Sequence, residues 1–562
     1  MAFQISPGVN VSEVDLTTVV PSILTTTGAF AGNFQWGPVN KRVLVDSEIT
    51  LAKTFGQPDS NTVTSFFTAA SFLAYGNNLN VVRAANTNSK NATSNTTTIS
   101  IANEDVFEST YLHTNHGGTY GAFVGRYPGS LGNSLTVDVC DGTGFSTWDY
   151  KNYFNGTPGT SSQADAAGAM NDELHIVVVD AGGLFTGSQG AVLETYAYVS
   201  KGSDSIDSLG NSNYYKNVIF NKSKYVYAMD PASYNTTHTT WGQPLAGTNY
   251  ATLSAVATST LAGGTNVAVG TGNLETAYDL FSNADEVDIS LVITGDATTS
   301  VQQYVIDNIA NTRKDCVAFI SPPSSAVVQN AGNETDDISS WNTSLARSTS
   351  YAVADSGWKY QFDKYNNIYR WVPLNGDIAG LCVYTDSVRD PWFSPAGFNR
   401  GNLKNVVKLA WNPNKTQRDT LYAQGINPVG TFPGNGTVLY GDKTLQSKPS
   451  AFDRINVRRL FIVLEKTIAQ AAKFSLFEFN DEFTRAQFVA LVTPFLRDIQ
   501  GRRGIHDFRV VCDTTNNTPN VIDSNQFVGD IYIKPARSIN FIQLNFVAVR
   551  TGVDFTEVVG KF

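Results

Sequence analysis

Val287-Asp-Ile-Ser-Leu-Val-Ile293, the helix-patterned stretch Ser300 to Thr312, and Cys316-Val-Ala-Phe-Ile320 decide how this chain reads. A continuous apolar run, an amphipathic stretch and a second apolar run closed by Pro322-Pro323 spell strand, helix, strand, the unit from which parallel sheets are built. The same grammar stands near the start, with a helix expected over Thr62 to Tyr75 and a strand over Leu79 to Arg83, while Gly28 to Gly37 reads as a turn-rich run. Between these halves, Asn86 to Ser100 is a low-complexity Asn/Ser/Thr tract suited to a surface excursion. From about 101 to 264 strand signals such as Leu135 to Val139, Leu174 to Val179 and Tyr225-Val-Tyr227 alternate with Gly, Asn and Tyr-rich turns. The economical reading is a mostly β domain, 88–264, inserted into an α/β domain built from 23–87 and 265–411.

Outward from that frame, residues 1–22 read as a linking arm, punctuated by Ser6-Pro7-Gly8 and Pro21, with too little apolar surface to fold alone. Residues 412–562 read as a C-terminal domain. Val457, Leu460, Phe461, Leu464, Ile468, Ala471 and Ala472 form one helical stripe, and Phe488, Leu491, Val492, Phe495 and Ile499 a second, with Pro494 a kink candidate. Strands are expected at Phe508 to Cys512, Phe527 to Ile533 and Ile539 to Val549. The last alternates Ile542, Leu544 and Phe546, as core candidates, against Gln543 and Asn545. The expected fold class is therefore α/β and α+β multidomain, ending in two helices packed on a β-sheet extended by terminal arms. Unpaired strand groups at both termini suit β-augmentation between copies, which nominates Val9, Val11, Glu13, Ile542, Leu544, Phe546 and Val549 as inter-subunit arm residues.

The 562 residues include 39 basic and 49 acidic ones, a balance of −10 that attracts neither nucleic acid nor an anionic membrane. Charged residues at 16% fall below the ~25% of typical soluble domains, so the surface is uncharged polar or largely covered. From Leu445 onward 15 Lys and Arg face 12 Asp and Glu, so the last part carries +3 and residues 1–444 carry −13. Arg497, Arg502 and Arg503 cluster at the end of the second helix, where the helix dipole favours cations in any case, and are candidates for docking an acidic partner. No signal-peptide pattern opens the chain and no window approaches the ~20 apolar residues of a membrane helix. The Asn-x-Ser/Thr triplets at Asn91 and Asn95 then read as incidental.

Chemistry is sparsely signalled. Gly436-Thr-Val-Leu-Tyr-Gly441-Asp-Lys443-Thr444 approaches a phosphate-binding loop, but Asp442 intrudes between the second glycine and the lysine, where a carboxylate repels phosphate. Gly264 to Gly272 lacks the dinucleotide spacing. His113 and His116 have no third metal ligand, His175 sits among apolar strand residues, and His506 follows a helix end. Cys140, Cys316, Cys382 and Cys512 lie far apart, without a Cys-x-x-Cys pair, and read as core fillers. No catalytic residue, cofactor or metal is expected.

Several ordered blocks carry a family resemblance: Ser6-Pro-Gly-Val-Asn-Val-Ser-Glu13, Ala31-Gly-Asn-Phe-Gln-Trp-Gly-Pro38, Thr54-Phe-Gly-Gln-Pro58, Tyr75-Gly76, Val81-Val-Arg-Ala84 and Tyr127-Pro-Gly-Ser-Leu-Gly132. They continue with Tyr360-Gln-Phe-Asp-Lys-Tyr365, Arg370-Trp-Val-Pro373, Asp377-Ile-Ala-Gly-Leu381 and Ser394 to Gly401. Tyr440 to Thr444, Phe452 to Arg459, Val511 to Pro519 and Pro535 to Ile539 complete the series. Together they resemble contractile phage tail sheath proteins, closest to the T-even type. That type carries an additional protruding outer domain where this chain has only the short span between Asn86 and Gly125, so the outermost domain is expected to be missing.

What the resemblance implies is a non-enzymatic structural polymer of the virion. Its copies stack as hexameric rings around the tail tube and shorten on a baseplate signal, driving the tube through a bacterial envelope for DNA delivery. The implied partners are the chain itself, the tube protein, the baseplate and tail terminator or neck proteins, with no direct nucleic-acid contact and no membrane insertion. Synthesis and assembly in the host cytoplasm follow from the same likeness. The sheath of a bacterial contractile injection system is the alternative within the class. An adhesin would explain the Asn/Thr/Gly-rich β segments but not the two C-terminal helices, and an enzyme would need a convergent site.

Overall fold

The computed structural model describes residues 24–112, 120–229, 240–540 and 542–543. These form two compact units that divide between Leu476 and Phe477.

The first unit is built on a seven-stranded sheet: β1 (Gly28–Asn33), β2 (Arg42–Val45), β3 (Leu79–Ala84), β4 (Leu291–Ile293), β5 (Val317–Ile320), β6 (Ala352–Asp355) and β7 (Ile426–Asn427). Its spatial order is β7-β6-β5-β4-β1-β3-β2, parallel throughout except for the antiparallel edge strand β2. Alternate residues of each strand enter opposite cores. Val292, Ala318 and Ala354 face Tyr278, Ile306 and Trp341, while Leu291, Ile293, Phe319 and Val353 face Phe66, Phe72 and Ile378. Both faces are therefore covered, which is why these strands read as unbroken apolar runs.

Four departures from the sequence reading have physical reasons. Gly28 to Gly37, expected as turns, contains the interior strand β1; a Cβ on Gly28 would lie 2.7 Å from the Phe72 ring and one on Gly32 2.8 Å from the Phe30 ring. Those glycines let the helix Val63–Leu73 lie close to the sheet. Second, Asn86 to Ser100 is no surface excursion. Asn91 is fully buried, donates from Nδ2 to the carbonyls of Ile101 (3.2 Å) and Gly125 (2.9 Å), and accepts from the Ile101 amide (2.7 Å). The tract bridges to the returning chain at Lys90↔Thr265 and Thr93↔Ala262. Third, the strand expected over 287–293 is only Leu291–Ile293, and the helix after it, Thr299–Tyr304, continues as a π-helix over Val305–Ala310. Fourth, residues 412–476 stand with the first unit rather than with the C-terminal one, because β7 pairs with β6 in the main sheet.

Between β3 and β4 the chain forms a separate antiparallel sheet in the order Ala191–Ser200, Glu173–Asp180, Leu135–Cys140, Ala257–Thr260, with a small two-stranded pair, Phe123–Gly125 and Val226–Ala228. It has its own aromatic and aliphatic core around Val137, Ile176, Tyr215 and Trp241. Arg83, fully enclosed at the end of β3, fastens it to the main sheet: the guanidinium donates to the carbonyls of Phe34 (2.9 Å), Gly37 (2.9 Å), Gln35 (3.2 Å) and Pro128 (2.6 Å). Burial pulls its pKa down to about 9, and the four carbonyl oxygens supply the negative ends its charge needs in place of a carboxylate.

The second unit pairs the helix Glu482–Gly501 with a two-stranded antiparallel hairpin, β8 (Ile505–Val511) and β9 (Asp530–Pro535). Asp481 caps the helix, accepting from the Thr484 amide at 2.8 Å, and Phe488, Val492, Leu496 and Ile499 are its buried stripe. The strand expected from Phe527 begins only at Asp530, because Val528 is held by Asn517 and Gly529 lies against the Phe488 ring.

Candidate interaction surfaces

The residues singled out for chemistry are occupied by structural work. Asp442 in the loop after Gly436–Leu439 is buried and meets Arg454 Nη1 at 3.2 Å, and Lys443 Nζ donates to the Tyr422 carbonyl at 2.7 Å. His175 is buried, its Nε2 bonded to the Gly156 carbonyl (2.9 Å) and its Nδ1 accepting from the Tyr198 amide (3.1 Å). Burial lowers its pKa. The four cysteines are buried free thiols, and burial pushes Cys140, Cys316 and Cys382 up to about 12, which leaves them unreactive. His113 and His116 lie outside the described residues. Among the described residues no group of three His, Cys, Asp or Glu is placed to hold a metal, and no helix is long and apolar enough to cross a membrane.

Several residues of the blocks that carried the resemblance form buried clamps with residues outside them. Lys359 and Asp377 form a fully buried ion pair at 2.8 Å that ties the strand Trp358–Asp363 to the helix Asn375–Val388, and Tyr75 adds a hydrogen bond to the same carboxylate. Arg459 grips Asp386 through both terminal nitrogens, at 2.8 and 2.6 Å, and Thr25 donates to the same carboxylate. Arg454 bonds the Tyr422 hydroxyl as well as Asp442. In the Val511 to Pro519 block, Asn517 exchanges two hydrogen bonds with the Val528 backbone (2.7 and 2.9 Å), closing the loop before β9. Each of these buried charges and amides is satisfied by a specific partner, without which it would be left desolvated and unpaired.

Surfaces open to partners lie elsewhere. Arg497, Arg502 and Arg503 are all exposed at the C-terminal end of the helix Glu482–Gly501. Arg502 pairs with Asp498 at 3.5 Å across one helical turn, and Arg503 takes a left-handed conformation (φ 68°) as the chain leaves the helix. The hairpin β8/β9 pairs only with itself among the described residues, so each strand has one open edge. Most of its residues are half-buried or exposed, and Tyr532 is 61% exposed. Of the proposed arm residues, Val9, Val11, Glu13, Leu544, Phe546 and Val549 lie outside the described residues. Ile542 is described and, contrary to its expected place in a core strand, is 77% exposed and outside any strand. Period-2 patterning gives a residue's side of a strand, not whether its own chain supplies a neighbour.

Comparison with known proteins bears on what these surfaces meet. Residues 269–445 match the family model for the phage tail sheath protein central domain, and residues 447–548 that for the phage tail sheath C-terminal domain. The chain is 36% identical to the tail sheath protein of Vibrio phage KVP40, over 99% of this chain and 100% of that one. It is 34% identical to the tail sheath protein of Enterobacteria phage T4, over 99% of each. The alignments span 673 positions against 562 residues, so these relatives carry stretches this chain lacks. The fold resembles a sheath tail protein from Listeria innocua (TM-score 0.54, 11% identity, 92% of this chain and 97% of that one). It also resembles the anti-feeding prophage helical sheath in its contracted state (TM-score 0.52, 13% identity, 97% and 99%).

Proposed function

Since the chain belongs to the phage tail sheath family, we propose that it is the structural subunit of a contractile tail sheath, a virion component. Its copies wind as stacked hexameric rings around the tail tube and contract, on a baseplate signal, to drive the tube through the bacterial envelope. The observation that carries this reading is full-length identity of 34 to 36% to tail sheath proteins of two phages. That kinship also favours a phage sheath over a bacterial injection device, whose sheath is similar in fold alone. The protein then works without turnover or cofactor. Energy stored at assembly is released as near-rigid subunits move between two packings.

The finer assignments belong to the same proposal. Residues 1–22 and the segment from 539 to 562 link neighbouring copies, and the open edges of β8/β9 are what supports this, since an extended segment of another copy can complete the ladder. Arg497, Arg502 and Arg503 face an acidic tube surface, and 88–264 faces outward without the outermost domain of the T-even type. Tube, baseplate and neck proteins are the partners, met in the host cytoplasm during assembly. Negative-stain microscopy of the purified protein, alone and with tubes, is the test: hollow helical tubes are expected, and a persistently monomeric protein would sink the reading. Deleting residues 1–20 should leave the melting temperature unchanged and abolish tubes.

A further inference from the structure

The first unit is electrically lopsided along its strands. At the C-terminal edge of the main sheet runs a groove of about 890 Å³, walled by Trp36, Tyr127, Phe185, Tyr225 and Tyr365. Trp36 meets Tyr127 and Phe185 edge-on, at 5.4 and 5.1 Å, and Phe185 meets Tyr225 at 5.1 Å, so the aromatic wall is continuous. Lys53, Arg126, Lys222, Lys224 and Lys364 line it, and the carboxylates against it, Glu48, Glu104 and Glu194, bond Lys364, Arg126 and the Ser223 hydroxyl. Arg126 is neutralised by Glu104 and Lys364 pairs with Glu48, whereas Lys53, Lys222 and Lys224 are exposed and have no ion pair among the described residues. Ile49 and Leu184, 65% and 59% exposed, form apolar lips.

The opposite, N-terminal edge carries the reverse sign. Residues 279–288 hold Asp279, Asp285, Glu286 and Asp288 with no Lys or Arg, all four are exposed, and the segment ends three residues before β4 begins. Arg42 reaches Glu286 at 3.4 Å, Lys466 reaches Asp288 at 2.7 Å and Arg313 donates to the Phe281 and Val287 carbonyls, so Asp279 and Asp285 are the rim carboxylates without an ion pair among the described residues.

We propose that the groove receives the acidic rim, residues 279–288, of a second copy of this chain. Because the two surfaces lie at opposite edges of one sheet, a copy that donates its rim still presents its own groove. The contact is heterologous, so it joins copies head to tail into rings or filaments rather than into a closed dimer. Aromatic walls and lips exclude water around the lysine–carboxylate contacts, and complementary fields at the two edges set the direction of stacking. The inference rests on the polymer reading and names one contact within it.

The test mixes two single-cysteine variants, Lys53→Cys and Asp285→Cys, in assembled protein under mild oxidation. A cross-linked heterodimer is expected from the mixture and not from either variant alone, since the four native cysteines are buried. In parallel, Lys53→Glu with Lys224→Glu should raise the concentration needed for assembly about tenfold, and adding Asp279→Lys and Asp285→Lys to that chain should restore it. Normal assembly by the double-Glu variant, with no heterodimer in polymers that do form, would overturn the contact while leaving the sheath reading intact. If the unaltered protein never polymerises, the sheath reading falls first and this contact with it. Heparin binding to the soluble protein that is lost in the double-Glu variant, while that variant assembles normally, would assign the groove to a different polyanion and likewise overturn the proposal.

Discussion

The main sheet and the C-terminal hairpin are both written in β-branched and aromatic residues, yet they end in opposite conditions. Strands β4 to β6 are buried on both faces and at both edges, their alternate side chains shared between two cores of the same chain. In β8 and β9 only Ile505 is buried, and both outer edges are open among the described residues. Similar residues thus complete a fold in one region and present an unfinished ladder in the other. The first region sets the stability of the subunit; the second is suited to spend its backbone groups on neighbours.

Substitutions can break or sharpen that contrast. Phe72, fully buried against Gly28, should cost about 3–5 kcal/mol as Phe72→Ala, read as a lower denaturant midpoint of the first unit. A loss below about 1 kcal/mol would mean that the main sheet is not the stability centre. Arg83→Met strands four carbonyl oxygens around an apolar side chain and should cost about 3 kcal/mol, with hydrogen exchange rising on both sides of the junction at 34–37 and 128.

Asp355 gives the same region a pH signature. Burial pushes its carboxyl up to about 8, against the hydrogen bonds from Ser321 and Gly357, so between about pH 4 and 8 the folded state holds a proton that the unfolded state has released. Stability should therefore fall as pH rises through that window, no more steeply than about 1.4 kcal/mol per pH unit, and level off above it. Asp355→Asn should remove that share of the slope in urea titrations at several pH values.

The hairpin should respond in the other sense. Tyr532→Ala on its exposed face should change stability by no more than about 0.5 kcal/mol and yet reduce tube formation. A large drop in melting temperature would mean that β9 is completed in cis. Least of all in stability, Arg497→Glu, Arg502→Glu and Arg503→Glu together should shift it by under about 0.5 kcal/mol, since these groups are exposed. Their effect should appear as weaker assembly on tubes that worsens with salt, and normal assembly at low salt would leave them the helix-dipole role alone.

Much was legible in the sequence where pattern and partner are local. Val63–Leu73 and Leu79–Ala84 were readable as apolar runs because they are buried nearly all round, and the two C-terminal helices from apolar periodicity because each buries a stripe. The ordered blocks pointed to the family, and Asp377 and Arg459 within them are held by Lys359 and Asp386, which lie outside them. Charge counting found the excess of acid in residues 1–444. Only the tertiary structure decided that Gly28 to Gly37 contains an interior strand of the main sheet, since Gly28 and Gly32 answer to the Phe72 and Phe30 rings rather than to a turn. Only it showed that Asn91 is buried, its amide satisfied by backbone ten and thirty-four residues away. It also gathered Lys53, Lys222, Lys224 and Lys364 into one groove from three stretches of chain. Composition and periodicity report what a residue prefers; which of its neighbours meets that preference is set by distances in space that the linear order does not contain.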